Sequence, residues 1–270
     1  MPNDAQAIDA RLELACQAAR EAGERTLRYF RSGQLAVERK SDNSPVTVAD
    51  REAEQILREI IQSSFPDDAV VGEEFGQRMG DSGYRWILDP IDGTTSFVSG
   101  VPLYGTLIGV EYQQRAVIGV IHMPALSECV YAAEERGAWY VTGSDEPKVA
   151  RVSSCESLAD GLFVTSQIDL FEKREAWQCY RELQRRAYIT RTWGDCYGYL
   201  LVATGRAEVM VDAAMSIWDA AAIQPVLEEA GGTFTDWMGE RTIYHGEGIG
   251  TNRRVLDEVL SVTRPHAGSS

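Results

Sequence analysis

Trp86-Ile87-Leu88-Asp89-Pro90-Ile91-Asp92-Gly93-Thr94-Thr95-Ser96-Phe97 is the stretch on which the reading of this chain turns. A hydrophobic strand delivers Asp89 to its end. Pro90 then fixes φ and constrains the residue before it, which forces an extended turn. Asp92 returns to the same side, and Gly93 permits close backbone approach. If Gly93-Thr94-Thr95 opens a helix, its free N–H groups point at the spot the two carboxylates face. Carboxylates and an anion-binding helix start repel each other's ligands around a bare phosphate, and they become compatible once divalent cations sit between them. Hard oxygen donors without histidine or thiolate favour Mg²⁺ over zinc. Alone, an Asp-x-x-Asp-Gly segment is more often just two turns, so the reading depends on other acids converging.

Two segments supply them. Gly72-Glu73-Glu74 follows another short strand, Ala69-Val70-Val71-Gly72, and so places an acid at its end. Ile217-Trp218-Asp219-Ala220-Ala221 places an acid at a helix start, where capping is the alternative role. Further out, apolar residues at helical spacing predict a helix from Ile8 to Phe30 and a second after Thr47-Val48-Ala49-Asp50. The turn-rich loop Lys40 to Pro45 lies between them. Strands at Tyr104–Tyr112, Ala116–His122 and Glu128–Glu134 read as an antiparallel meander. The remainder alternates: strands at Leu162–Thr165, Tyr188–Thr190 and Ala207–Val211, helices at Phe171–Ala187, Cys196–Thr204 and Trp218–Ala230. The expected organisation is an α+β subdomain with the metal site (1–150), an α/β subdomain with the substrate pocket (151–262), and a disordered tail (263–270).

Composition narrows the partners. The 270 residues are 44% hydrophobic and 25% charged, with a net charge of −15. Such a surface repels nucleic acid and anionic membranes. No apolar run approaches the ~20 residues of a membrane-spanning helix. The start Met1-Pro2-Asn3-Asp4 lacks a secretory pattern, so a cytoplasmic protein is expected. Five scattered cysteines suit reduced thiols, and His122 and His245 have no ligand-spaced or nucleophile-elbow neighbours.

Gly72-Glu73-Glu74, Asp89-Pro90-Ile91-Asp92-Gly93-Thr94 and Trp218-Asp219-Ala220-Ala221-Ala222, in this order and spacing, resemble the inositol monophosphatase family. Lys40, Val46-Thr47-Val48-Ala49-Asp50 and Glu229-Ala230-Gly231-Gly232 extend the resemblance over nearly the whole chain. It implies a layered αβαβα sugar-phosphatase fold, commonly homodimeric, with a Mg²⁺-dependent, lithium-sensitive phosphatase site. By resemblance, Glu73, Asp89 and the Ile91 carbonyl would hold one ion. Asp89, Asp92 and Asp219 would hold a second, and Glu73 would share a third, weaker one. Glu73 and Thr94 would hold the attacking water, with Asp50 accepting from the Thr94 hydroxyl. Gly93, Thr94 and Thr95 would cradle the phosphate, and Lys40 would approach it.

Departures from the inositol phosphatase pattern bear on the substrate. Ser96 stands where asparagine is usual, Ile223-Gln224-Pro225 replaces the glycine expected after Ala222, and Asp195 replaces a small polar residue. Together with Thr233-Phe234-Thr235-Asp236-Trp237, these features are similar to the histidinol-phosphate phosphatase branch. Histidinol carries an ammonium and an imidazole, so its pocket needs carboxylates that no metal consumes, and Asp195 and Asp212 are the candidates. Helix capping by Asp195 and a plain strand end at Asp212 are the alternatives. The expected reaction is hydrolysis of L-histidinol phosphate, a small phosphate ester, by metal-activated water. Inositol-1-phosphate hydrolysis, nucleotide 3′-phosphatase activity and a regulatory role in transcription complexes are the other readings.

Overall fold

Two helices form the outermost layer of the computed structural model, which describes residues 2–32, 37–39 and 45–268. The first, α1 (Pro2–Leu27), begins ahead of the expected Ile8 and buries the small side chains of Ala15, Ala18, Ala19 and Ala22. A two-stranded antiparallel ladder, β1 (Val37–Arg39) and β2 (Pro45–Thr47), leads into α2 (Val48–Ser64). The start of α2 is closed by a capping box. The Thr47 hydroxyl accepts from the Ala49 amide, and the Asp50 carboxylate accepts from the Thr47 amide.

Below these helices lies an eight-stranded sheet. Its strands are β3 (Ala69–Gly72), β4 (Gly76–Arg78), β5 (Tyr84–Asp92), β6 (Gly105–Tyr112), β7 (Arg115–Met123), β8 (Glu128–Ala133), β9 (Ala138–Thr142) and β10 (Lys148–Val149). The spatial order is β10-β9-β8-β7-β6-β5-β3-β4. From β5 to β10 the sheet is antiparallel, the expected three-strand meander (β6 to β8) extended by β5 before it and by β9 and β10 after it, while β3 runs parallel to β5. Alternation along β5 decides which layer each side chain meets. Trp86 and Leu88 pack with α1 and α2, and Ile87 packs on the opposite face.

The third layer is helical: α6 (Cys196–Ala203), α7 (Ile217–Ala220) and α8 (Ile223–Glu229). α6 is apolar on nearly every side, as a helix between two sheets must be. The single helix expected over Trp218–Ala230 is broken into α7 and α8, because Pro225 has no N–H for the Ala221 carbonyl. The junction instead presses on the large sheet. A Cβ on Gly109 would lie 2.9 Å from the Ala221 oxygen, and one on Gly119 only 2.0 Å from the Ala222 oxygen.

A second sheet follows, ordered β12-β11-β13-β15-β14: β11 (Leu162–Val164), β12 (Ile189–Arg191), β13 (Val209–Asp212), β14 (Thr233–Thr235) and β15 (Gly248–Thr251). Its far face is covered by α4 (Ile168–Lys173), α5 (Trp177–Arg186) and α9 (Leu256–Thr263), which bury Phe171, Leu183, Trp237 and Val259. One helix was expected from Phe171 to Ala187; Glu175 at φ +59° separates two. The result is the αβαβα stack. After α9, Arg264–His266 forms a 3₁₀ turn. All five cysteines are free thiols, and no helix among the described residues is long and apolar enough to cross a membrane.

Candidate active site

β5 runs through Asp89 to Asp92, and does not stop at Asp89 as expected. Residues three apart on a regular strand face opposite sides of the sheet. Here Asp89 pairs with Leu107 and Asp92 with Gly105, so β5 uses one more residue than β6 across this interval. That bulge restores Asp89 and Asp92 to one side. Pro90 sits within it, where a missing N–H does no harm, and its carbonyl accepts from the Thr106 hydroxyl at 2.9 Å. The Asp89 Oδ1 accepts from the Ile91 amide at 3.0 Å, which fixes its rotamer. Gly93 follows at φ +83°, a left-handed turn that starts the short helix α3 (Thr94–Val98).

Asp219 arrives from α7. One of its oxygens accepts from the Ser216 amide at 2.6 Å, so it does cap its helix, as the alternative reading held. It also faces the cluster: Asp89, Asp92 and Asp219 each present an oxygen within 4.8 Å of the others. Glu73 is tied alongside by its amide, which donates to the Leu88 carbonyl at 3.2 Å. Burial, followed by the charges of Glu73, Asp92 and Asp219, raises Asp89 well above the usual carboxylate range. Burial, then Asp195 and Asp219, does the same to Asp92, and burial pushes Asp219 up to about 7. Among the described residues no lysine or arginine pairs with Asp89, Asp92 or Asp219. Converging carboxylates without a counter-charge, all oxygen and no thiolate, fit hard divalent cations.

One expected contact comes out differently. The Thr94 hydroxyl donates to the Ile91 carbonyl at 3.1 Å and not to Asp50. Asp50 is committed to Thr47, whose amide and hydroxyl donate to its Oδ2 at 2.8 and 2.6 Å, because it occupies the third position of α2. Burial pushes Asp50 up to about 6. Lys40 lies outside the described residues.

Beside the acidic cluster opens a cavity of about 170 Å³ that includes Asp92, Ser166, Asp195, Tyr199, Asp212 and Asp219 in its walls. Asp212, at the end of β13, accepts from the Ser166 hydroxyl at 2.7 Å and from the Tyr199 hydroxyl at 2.9 Å. The Asp195 amide donates to the same Ser166 oxygen at 2.9 Å. The Asp195 side chain makes no cap bond to α6; the Cys196 amide there donates to Asp92 at 2.5 Å. Asp195 adopts φ +53°, a conformation disfavoured for a side-chain-bearing residue. Its Oδ2 sits 2.9 Å from where a Cβ on Gly93 would be. Burial brings both carboxyls to about 6, with Asp212 adding to the effect on Asp195.

The description "inositol monophosphatase family" attaches to the family model that matches residues 8–267. The chain belongs to this family. It is accordingly a phosphatase. A histidinol-phosphatase of Chlorobaculum parvum is 44% identical over 238 residues, 88% of this chain and 90% of that one. A Nus factor SuhB of Pasteurella multocida is 30% identical over 94% of this chain and 96% of its own. The solved inositol monophosphatase of Zymomonas mobilis superposes with a TM-score of 0.83 at 31% identity, covering 96% and 99%.

Within this phosphatase a second group of donors, Asp236, Glu240 and His245, also lies close together. Asp236 there accepts from the Met238 and Glu240 amides at 2.9 and 2.7 Å and meets His245 Nδ1 at 2.8 Å, which braces a loop. Ser166 and Tyr199 were missed by the sequence reading. Ser166 stands just past a strand end, the same position type that exposed Glu73, and Tyr199 carries no such signal.

Proposed function

We propose that this phosphatase hydrolyses L-histidinol phosphate to L-histidinol and phosphate with Mg²⁺ as cofactor. What supports the substrate is a pair of carboxylates, Asp195 and Asp212, in the cavity beside the acidic cluster and outside the cluster itself. A polyol has no cation to satisfy them, whereas an amino alcohol bearing an imidazole does. The 44% identity to a histidinol-phosphatase, against 31% to the inositol monophosphatase, favours the same choice.

In this reading Glu73, Asp89 and the Ile91 carbonyl hold one Mg²⁺, and Asp89, Asp92 and Asp219 hold another, with Glu73 serving a third, weaker site. Magnesium bound there supplies charge neutralisation and water activation. Glu73 and Thr94 orient the attacking water. The Ile91 oxygen can serve a cation and the Thr94 hydroxyl together, since a carbonyl has two lone pairs. Gly93, Thr94 and Thr95 hold the phosphate, and Lys40 approaches it. Ser166 and Tyr199 aim Asp212, and Asp195 closes the cavity over Gly93. In-line displacement needs no protein nucleophile, so the shortage of histidines is no obstacle.

The net charge of −15 supports a small-molecule partner and no nucleic acid. The free thiols suit a cytoplasmic setting. A homodimer is supported by the outer edge strand β12, flanked by Tyr188 at 73% exposure and Trp193 at 42%. The deciding experiment compares kcat/KM for histidinol phosphate and inositol 1-phosphate on one preparation. A preference for inositol phosphate overturns the substrate, and activity that survives exhaustive chelation overturns the metal.

A further inference from the structure

Glu54 lies on α2 one turn beyond Asp50, with no exposed surface. Leaving a carboxylate there is costly unless its lone pairs are used. They are used on the segment that carries Glu73. The Glu54 Oε2 accepts from the Glu74 amide at 2.7 Å and its Oε1 from the Phe75 amide at 3.2 Å. Arg58 completes the arrangement, donating its Nε to Glu54 Oε1 at 2.7 Å and a second nitrogen to the Gly76 carbonyl. With the Glu73 amide held by Leu88, three consecutive amides of the turn between β3 and β4 are tied down. Gly72 makes the approach possible, because a Cβ there would lie 2.2 Å from Glu54 Oε1.

The geometry points to Glu54 as the positioning residue for Glu73. It is not a ligand itself. It grips the two amides after Glu73, and so opposes the repulsion that would swing that acid away from Asp89. The inference rests on the metal-site reading above, and goes beyond it by making metal affinity depend on a side chain outside the cluster. Glutamine has the same shape but a single acceptor oxygen, and its NH₂ would face donors.

The test titrates Mg²⁺ into metal-free protein by calorimetry and follows amide hydrogen exchange at Glu74 and Phe75 in EDTA. Glu54→Gln should weaken Mg²⁺ binding by about 10- to 100-fold, the usual effect of losing an outer-shell partner. Exchange at the two amides should quicken while circular dichroism stays native. Gly72→Ala, which displaces the carboxylate without changing its charge, should weaken binding likewise, and it decides the matter should Glu54→Gln fail to fold. Wild-type Mg²⁺ affinity in the folded variant overturns the role of Glu54 and leaves the metal site standing. A wild-type chain that binds no Mg²⁺ at all overturns the metal-site reading itself.

Discussion

Replacing Asp195 by asparagine tests the substrate assignment at its sharpest point. The amide keeps the shape of a side chain that already sits at φ +53° over Gly93, so the cavity should keep its form. What disappears is one negative charge facing the leaving group. A hydrogen bond between charged partners contributes about 1.5–3 kcal/mol net, which corresponds to a loss of roughly 10- to 150-fold in kcat/KM for histidinol phosphate. Coulomb's law sets the ceiling: two unit charges 4 Å apart attract by about 4 kcal/mol at an effective dielectric constant of 20. Burial brings Asp195 to about 6 in the metal-free protein, and neighbouring Mg²⁺ and a cationic leaving group both favour its ionised form, so the charge is present at pH 7 and above. The gap between wild type and variant should therefore be read at pH 7 and above, where the wild-type carboxyl is charged. The assay is steady-state phosphate release on histidinol phosphate and glycerol phosphate, at several pH values with saturating Mg²⁺. Equal losses on the ester with the cationic leaving group and the one with the neutral leaving group would refute the reasoning, since a positioning defect and not a charge would then be responsible.

Asp89→Asn should abolish turnover, measured as phosphate release, while leaving circular dichroism and Tm near wild type, because removing one of several crowded buried carboxylates relieves repulsion; near-normal activity would sink the assignment. Asp212 has a folded pKa of about 6 against an ordinary 3.8, so the metal-free wild type binds its proton more tightly than the unfolded chain does. The stability this provides is full below the ordinary value and is lost as pH rises through the folded one. Relative to Asp212→Asn, metal-free wild type should thus lose on the order of 2 kcal/mol between pH 4 and pH 7 in urea melts. Gly119→Ala drives a methyl to 2.0 Å from the Ala222 carbonyl, and a Tm lowered by overpacking of about 1–3 kcal/mol is expected; an unchanged melt would mean that α7 and α8 yield freely.

Much of the fold was legible because its elements announce themselves locally. The meander strands are apolar runs between turn formers, and the acids of the cluster stand at breaks marked by Pro90, Gly93 or a helix start. What stayed hidden depends on partners distant in sequence. Gly248-Ile249-Gly250-Thr251 has two glycines in four residues and becomes a strand only because β13 and β14 flank it. The break before α5 uses Glu175 in a left-handed conformation that no glycine signals. The bulge that unites Asp89 and Asp92 is visible only against β6. The link from Ser166 to Asp212 likewise requires β11 to lie beside β13. Asp50 shows the converse, where a local rule won: its place in the capping box took it from the partner expected of it.

The seam where Ala221 and Ala222 rest on Gly109 and Gly119 has a kinetic consequence. Asp219 is carried into the acidic cluster by α7, which rests on that seam, whereas Asp89 and Asp92 are brought together by β5 and β6 alone. A chain recovering from denaturant should regain its far-ultraviolet signal and tryptophan burial before it can turn over substrate. Competence is then the last property to return, and its recovery rate times the closing of that seam.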